Sequence, residues 1–66
     1  MDYVCTFVDE SCYLMSVLVR GISSEDAAWT KGREMVGAIS HAGDWGRFTI
    51  EPGYMTSEGW VPSKKG

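Results

Sequence analysis

Two runs of strand-forming residues stand almost back to back near the start of the chain, and this leaves few folds open. Residues 3–8 (Tyr-Val-Cys-Thr-Phe-Val) are β-branched and aromatic. Residues 12–20 (Cys-Tyr-Leu-Met-Ser-Val-Leu-Val-Arg) alternate, with Tyr13, Met15, Val17 and Val19 on one face and Leu14, Ser16, Leu18 and Arg20 on the other. Only the polar link Asp9-Glu10-Ser11 separates them, so they read as the arms of a hairpin. A turn centred on Asp9-Glu10 would place Cys5 opposite Leu14 and Cys12 opposite Phe7. The two cysteines then share a face without the geometry of a disulfide, and both are expected reduced and buried.

Gly21 ends the second arm, and Ser23-Ser24-Glu25-Asp26 opens a helix. A serine there accepts from free amides of the first turn, and the two acids complement the helix dipole. Ala28, Gly32, Met35, Val36 and Ile39 recur at helical spacing on one side, with Thr30, Lys31 and Glu34 towards the other. Glycine in mid-helix costs stability, so Gly32 implies a close approach of helix to sheet. Ser40-His41-Ala42-Gly43 stops the helix. Residues 46–51 read as a third strand, Phe48 and Ile50 inward and Arg47, Thr49 and Glu51 outward, closed by a Pro52-Gly53 turn. Residues 54–61 allow a short further strand or hairpin.

The order β-β-α-β predicts a small two-layer α+β domain. A right-handed crossover through the helix puts the third strand beside the first. The expected sheet is antiparallel, of three to four strands in the order 2-1-3, with the helix on one face and the other face open. The domain is expected to span residues 1–62, with 63–66 as a flexible tail. This topology also predicts two acidic poles: Asp2, Glu25, Asp26 and Glu51 at one end, with Arg20 as the nearby base, and Asp9, Glu10 and Asp44 at the other.

Composition narrows the function. Sixty-six residues make one domain at most, and one whose core is marginal. The net charge is −3, and without Lys64 and Lys65 the same nine acids face four bases. Such a body repels a phosphate backbone and is drawn to basic surfaces. The first residues, Met1-Asp2-Tyr3, lack the basic region of a signal peptide, and the apolar run of residues 12–19 is far too short to span a membrane. A cytoplasmic protein is expected, with neither nucleic acid nor membrane as a direct partner.

Few residues suggest catalysis. His41, the single histidine, follows a helix end, where a cation is favourable without any chemistry. Cys5, Cys12 and His41 lack the spacing of a zinc knuckle, and no fourth ligand is evident. Gly43-Asp44-Trp45-Gly46 precedes a strand and lacks the Gly-Lys-Ser/Thr of a phosphate loop. No catalytic residue, metal or cofactor is therefore expected. The aromatic residues carry more weight, because Trp and Tyr are frequent interface anchors. Trp29 and Trp45 suit the ends of the core; Tyr54 and Trp60 suit a partner surface.

The hairpin of residues 3–20, the helix of 24–39 and the acids named above give the chain a class-level likeness. It resembles the small proteins that bacteriophages encode against host defence, anti-CRISPR proteins especially. That resemblance implies a non-enzymatic inhibitor in the cytoplasm of a host bacterium. It implies a protein complex as partner, a CRISPR effector among the candidates, and a nucleic-acid-binding surface that the inhibitor blocks. The expected partner-binding residues are Asp2, Glu25, Asp26, Glu51, Asp9, Glu10, Asp44, Tyr54 and Trp60. The alternative is a homodimeric phage structural or adaptor protein that uses the open sheet face; monomer and homodimer both remain open.

Overall fold

A computed structural model describes residues 1–39 and 44–63. Its elements are β1 (Asp2–Val8), β2 (Leu14–Val19), α1 (Glu25–Ile39), β3 (Gly46–Thr56) and β4 (Gly59–Pro62). The strands form one antiparallel sheet in the order β2-β1-β3-β4, and α1 packs on β1 and β2. This is the expected α+β layer, with the fourth strand added outside the third. His41, Gly43 and the lysines of the tail lie outside the described residues. Ser63 donates its N–H to the Pro52 carbonyl at 2.8 Å.

The β1–β2 register differs from the expected one. Tyr3 faces Val19, Cys5 faces Val17 and Val8 faces Leu14. The loop is longer than the three polar residues because Asp9 organises it. The Asp9 carboxylate accepts the N–H groups of Ser11 and Tyr13, both at 2.9 Å, and the Asp9 carbonyl accepts from Cys12 at 3.0 Å. Cys12 takes a left-handed conformation (φ 65°) inside this loop and is exposed, whereas Cys5 is buried. Asx-type capping of the backbone thus draws Cys12 and Tyr13 out of the strand.

Helix α1 starts as its sequence requires. The Ser24 hydroxyl accepts the Ala27 N–H at 3.2 Å, and Glu25 and Asp26 occupy the first turn. Ala28, Trp29, Gly32 and Val36 are buried against the sheet. Ile39, expected inward, is 68% exposed, near the limit of the described helix. At Gly32 an added methyl group would lie 3.2–3.3 Å from the Phe7 ring and Val17. The glycine therefore sets how closely helix and sheet approach. Phe7 and Trp29 meet edge to face with centroids 5.1 Å apart, and with Cys5, Val17, Val19, Ala28, Val36 and Trp45 they form the core. Burying one such large side chain stabilises by about 1.5–3 kcal/mol.

Strand β3 departs twice from its expected form. A bulge shifts the β1–β3 register between Thr6 and Phe7: Thr6 faces Thr49, but Phe7 faces Arg47. Phe48 is the extra residue and is 57% exposed, while the Arg47 guanidinium lies over the Trp29 ring at 5.2 Å. The expected inward and outward sides of Arg47 and Phe48 are thus exchanged. Pro52-Gly53 is not a turn, because β3 runs through it to Thr56. Pro52 fits there because its carbonyl points to the β4 side, towards Ser63. Its missing N–H points the same way, where β4 pairing has already ended. The turn comes later, at Ser57-Glu58, where the Thr56 hydroxyl donates to the Gly59 carbonyl (2.8 Å) and accepts the Glu58 N–H (3.1 Å).

Candidate interaction surface

Alternation along the strands sorts side chains to two faces. Tyr3, Cys5, Phe7, Met15, Val17, Val19 and Ile50 face the helix. Val4, Thr6, Val8, Leu14, Ser16, Leu18, Thr49 and Glu51 face away from it, and the β3–β4 register adds Met55 and Trp60. Among the described residues no element covers this second face. It is mostly apolar, with a hydroxyl row through its middle, where Thr6 and Ser16 share a hydrogen bond of 2.8 Å beside Thr49.

Trp60 is half-buried, and its ring lies on Gly53. A methyl group at Gly53 would collide with the Val61 carbonyl oxygen and sit 2.6 Å from Trp60 Cζ2. The missing side chain thus gives the indole its seat, as large aromatic residues do over strand glycines. Its N–H, like that of Trp45, is buried without an acceptor among the described residues. Tyr54 is exposed and pairs with Val61, on the helix-bearing side of the sheet, so the two expected aromatic anchors sit on opposite faces.

The acids divide by what they do. Asp2 is a fastener: its carboxylate accepts the N–H groups of Gly21 (3.0 Å) and Met55 (3.2 Å), with Arg20 Nε at 3.6 Å. Its side chain is only 14% exposed. The Gly21 hydrogen bond holds its pKa below the ordinary 3.8, against the opposing effect of burial, and the Met55 hydrogen bond and Arg20 add to the lowering. Asp9 is likewise occupied by its own loop. Glu10, Glu25, Asp26, Asp44 and Glu51 are exposed. The strand order brings Asp2, Glu25, Asp26 and Glu51 to one end, but Glu25 and Asp26 begin the helix layer while Glu51 stands on the open face.

Sequence reasoning missed a groove beside the helix. Phe7, Trp29, Thr30, Arg33, Glu34 and Arg47 line about 440 Å³ there. Arg47 is held over Trp29, and Arg33 donates to the Trp45 carbonyl. These two bases sit on the helix side of the sheet, with Glu34 beside them in the groove. A bulge interrupts the period of two that sequence reading relies on, which is why Arg47 was expected outward.

Among the described residues no three His, Cys, Asp or Glu side chains come together as a metal site would need. Burial raises the pKa of the Cys5 thiol, with nearby Glu25 adding to the rise, so it is a poor nucleophile. No helix among the described residues is long and apolar enough to cross a membrane. Comparison with protein-family models, with curated proteins and with solved structures finds no match.

Proposed function

We propose that the chain is a non-catalytic binding domain that docks its open sheet face onto a basic, nucleic-acid-binding surface of a protein complex and blocks it. The observation that carries this reading is the apolar face left uncovered among the described residues, with Trp60 seated on Gly53 and Glu51 exposed on the same face. Apolar area supplies the affinity, and the surrounding acids supply rate and orientation against a basic partner. Asp2 and Asp9 leave the set of partner-binding residues, because their carboxylates are engaged with backbone N–H groups. Glu51 and Trp60 head it, with Glu25 and Asp26 at the rim.

The resemblance to anti-CRISPR proteins makes a CRISPR effector complex the first partner to test. The experiment is a binding titration against a purified effector, with and without its nucleic acid, at low and high salt. Binding that weakens with salt and competes with nucleic acid is expected. Trp60→Ala should weaken it tenfold or more, roughly 1.4 kcal/mol or above. Glu25→Lys with Asp26→Lys should flatten its salt dependence. An affinity unchanged by Trp60→Ala and Glu51→Lys would remove this surface from the mechanism. Self-association through the open face, with no effector binding, would favour the homodimeric adaptor instead.

A further inference from the structure

The two edges of the sheet are unequal. Strand β4 is four residues long and ends in Pro62, so it offers little to another strand. Strand β2 is six residues long, Leu-Met-Ser-Val-Leu-Val, with no charge and no proline. An edge of that kind is a template for pairing unless something occupies it.

Its free polar groups can be assigned. The Asp9 N–H donates to the Tyr13 carbonyl, which makes the odd-numbered positions of the hairpin its hydrogen-bonded pairs. The Pro52 carbonyl agrees: it points to the β4 side, so Pro52 and Tyr3 are a non-hydrogen-bonded pair, and Tyr3 directs its own groups to β2. On β2, then, Met15, Val17 and Val19 turn their backbone groups to β1. Leu14, Ser16 and Leu18 turn theirs outward.

We infer that β2 pairs antiparallel with β2 of a second copy, with Ser16 on the two-fold axis. This register matches every outward group to another: the two Ser16 residues exchange both their hydrogen bonds, and each Leu14 does so with Leu18 of the second copy. An even-numbered sum of paired residues also keeps the two helices on the same side, so two four-stranded sheets join into one. The hydroxyl row Thr49-Thr6-Ser16 continues into its counterpart. Beyond the paired segment, Arg20 comes beside the loop of the second copy that carries exposed Glu10. The side chain of Arg20 is 67% exposed and only loosely tied to Asp2 at 3.6 Å. The central segment carries no charge and the flanks carry opposite ones, so charge favours a second copy in this register. The inference is independent of what the open face binds, since edge pairing leaves that face free and doubles its width.

Sedimentation equilibrium of the intact chain over a concentration series tests it. A reversible monomer–dimer equilibrium is expected; a monomer up to millimolar concentration overturns the inference. Ser16→Pro removes an N–H that has no bond among the described residues, so circular dichroism should be unchanged. The dimer dissociation constant should rise roughly tenfold or more through two lost hydrogen bonds. Should the proline disturb the strand, Ser16→Lys keeps the N–H and sets two like charges against each other on the axis, with the same expected loss. Trp60→Ala should leave the dimer intact. A dimer that survives both Ser16 variants but falls to Trp60→Ala would place the contact on the open face and overturn edge pairing.

Discussion

The two faces of this sheet use the same device to opposite ends. On the helix-bearing face, Gly32 lets the helix come down onto Phe7 and Val17, and the resulting contact is closed. On the other face, Gly53 leaves room for the Trp60 ring, and among the described residues the resulting surface stays open. A glycine facing an aromatic ring makes a core in one place and a platform in the other. What decides is whether an element follows to cover it. Among the described residues a single helix covers one face, so one layer takes the stability and the other is left for contact.

The largest effect expected from this contrast is at Phe7. Phe7→Ala should cost about 3–5 kcal/mol, a large share of what a domain this size has, as read from urea unfolding. Next comes Gly53→Ala, at about 2 kcal/mol or more, because the methyl group meets the Val61 carbonyl of the rigid β3–β4 ladder. Gly32→Ala should cost less, at most about 1–2 kcal/mol. The Phe7 ring and Val17 need yield only a few tenths of an ångström, and alanine gains about 1 kcal/mol in helix propensity. A reversed order of the two glycines would mean that the platform, not the helix contact, is the yielding side. The smallest effect belongs to Leu14→Ser, on the open face and 50% exposed: within about 0.5 kcal/mol in dilute solution. A loss comparable to Phe7→Ala there would break the contrast between faces.

Acid sharpens the same comparison at the rim. The pKa of Asp2 is lowered in the folded protein, so its contribution is present above the ordinary value of 3.8 and is lost as pH falls through the lowered one. Melting temperature followed from neutral pH into that range should fall for the wild type. Asp2→Asn, destabilised at neutral pH, should fall less steeply. Parallel curves would mean that Asp2 fastens nothing.

Much of the architecture was legible because local signals agreed: the period of two in residues 14–19, the Ser24 cap, and the small residues Ala28 and Gly32 on one helix side. The misplaced parts have one physical cause in common, which is backbone polar groups finding partners that periodicity does not encode. Asp9 lengthened the hairpin loop by capping it, and so shifted the register by three in the paired sum. The bulge at Phe48 turned Arg47 onto Trp29. Pro52-Gly53, a turn by composition, entered a strand because the missing donor pointed past the end of β4. For the candidate surface, charge and residue type named Asp2, Asp9, Glu51 and Trp60 alike, but not that the Asp2 and Asp9 carboxylates are engaged with backbone N–H groups while Glu51 and Trp60 lie on the open face.

The placement of β1 at the centre of the sheet has a consequence in time. One of its neighbours, β2, is local and can close within microseconds, as hairpins do. The other, β3, joins through pairs such as Asp2 with Gly53, so almost the whole chain must be present before the first strand is flanked on both sides. Folding of this small protein should therefore be limited by one long-range closure and not by its hairpin or helix. Ile50→Val, at the β1–β3 seam, should slow refolding more than Val19→Ala, in the hairpin, for equal loss of stability.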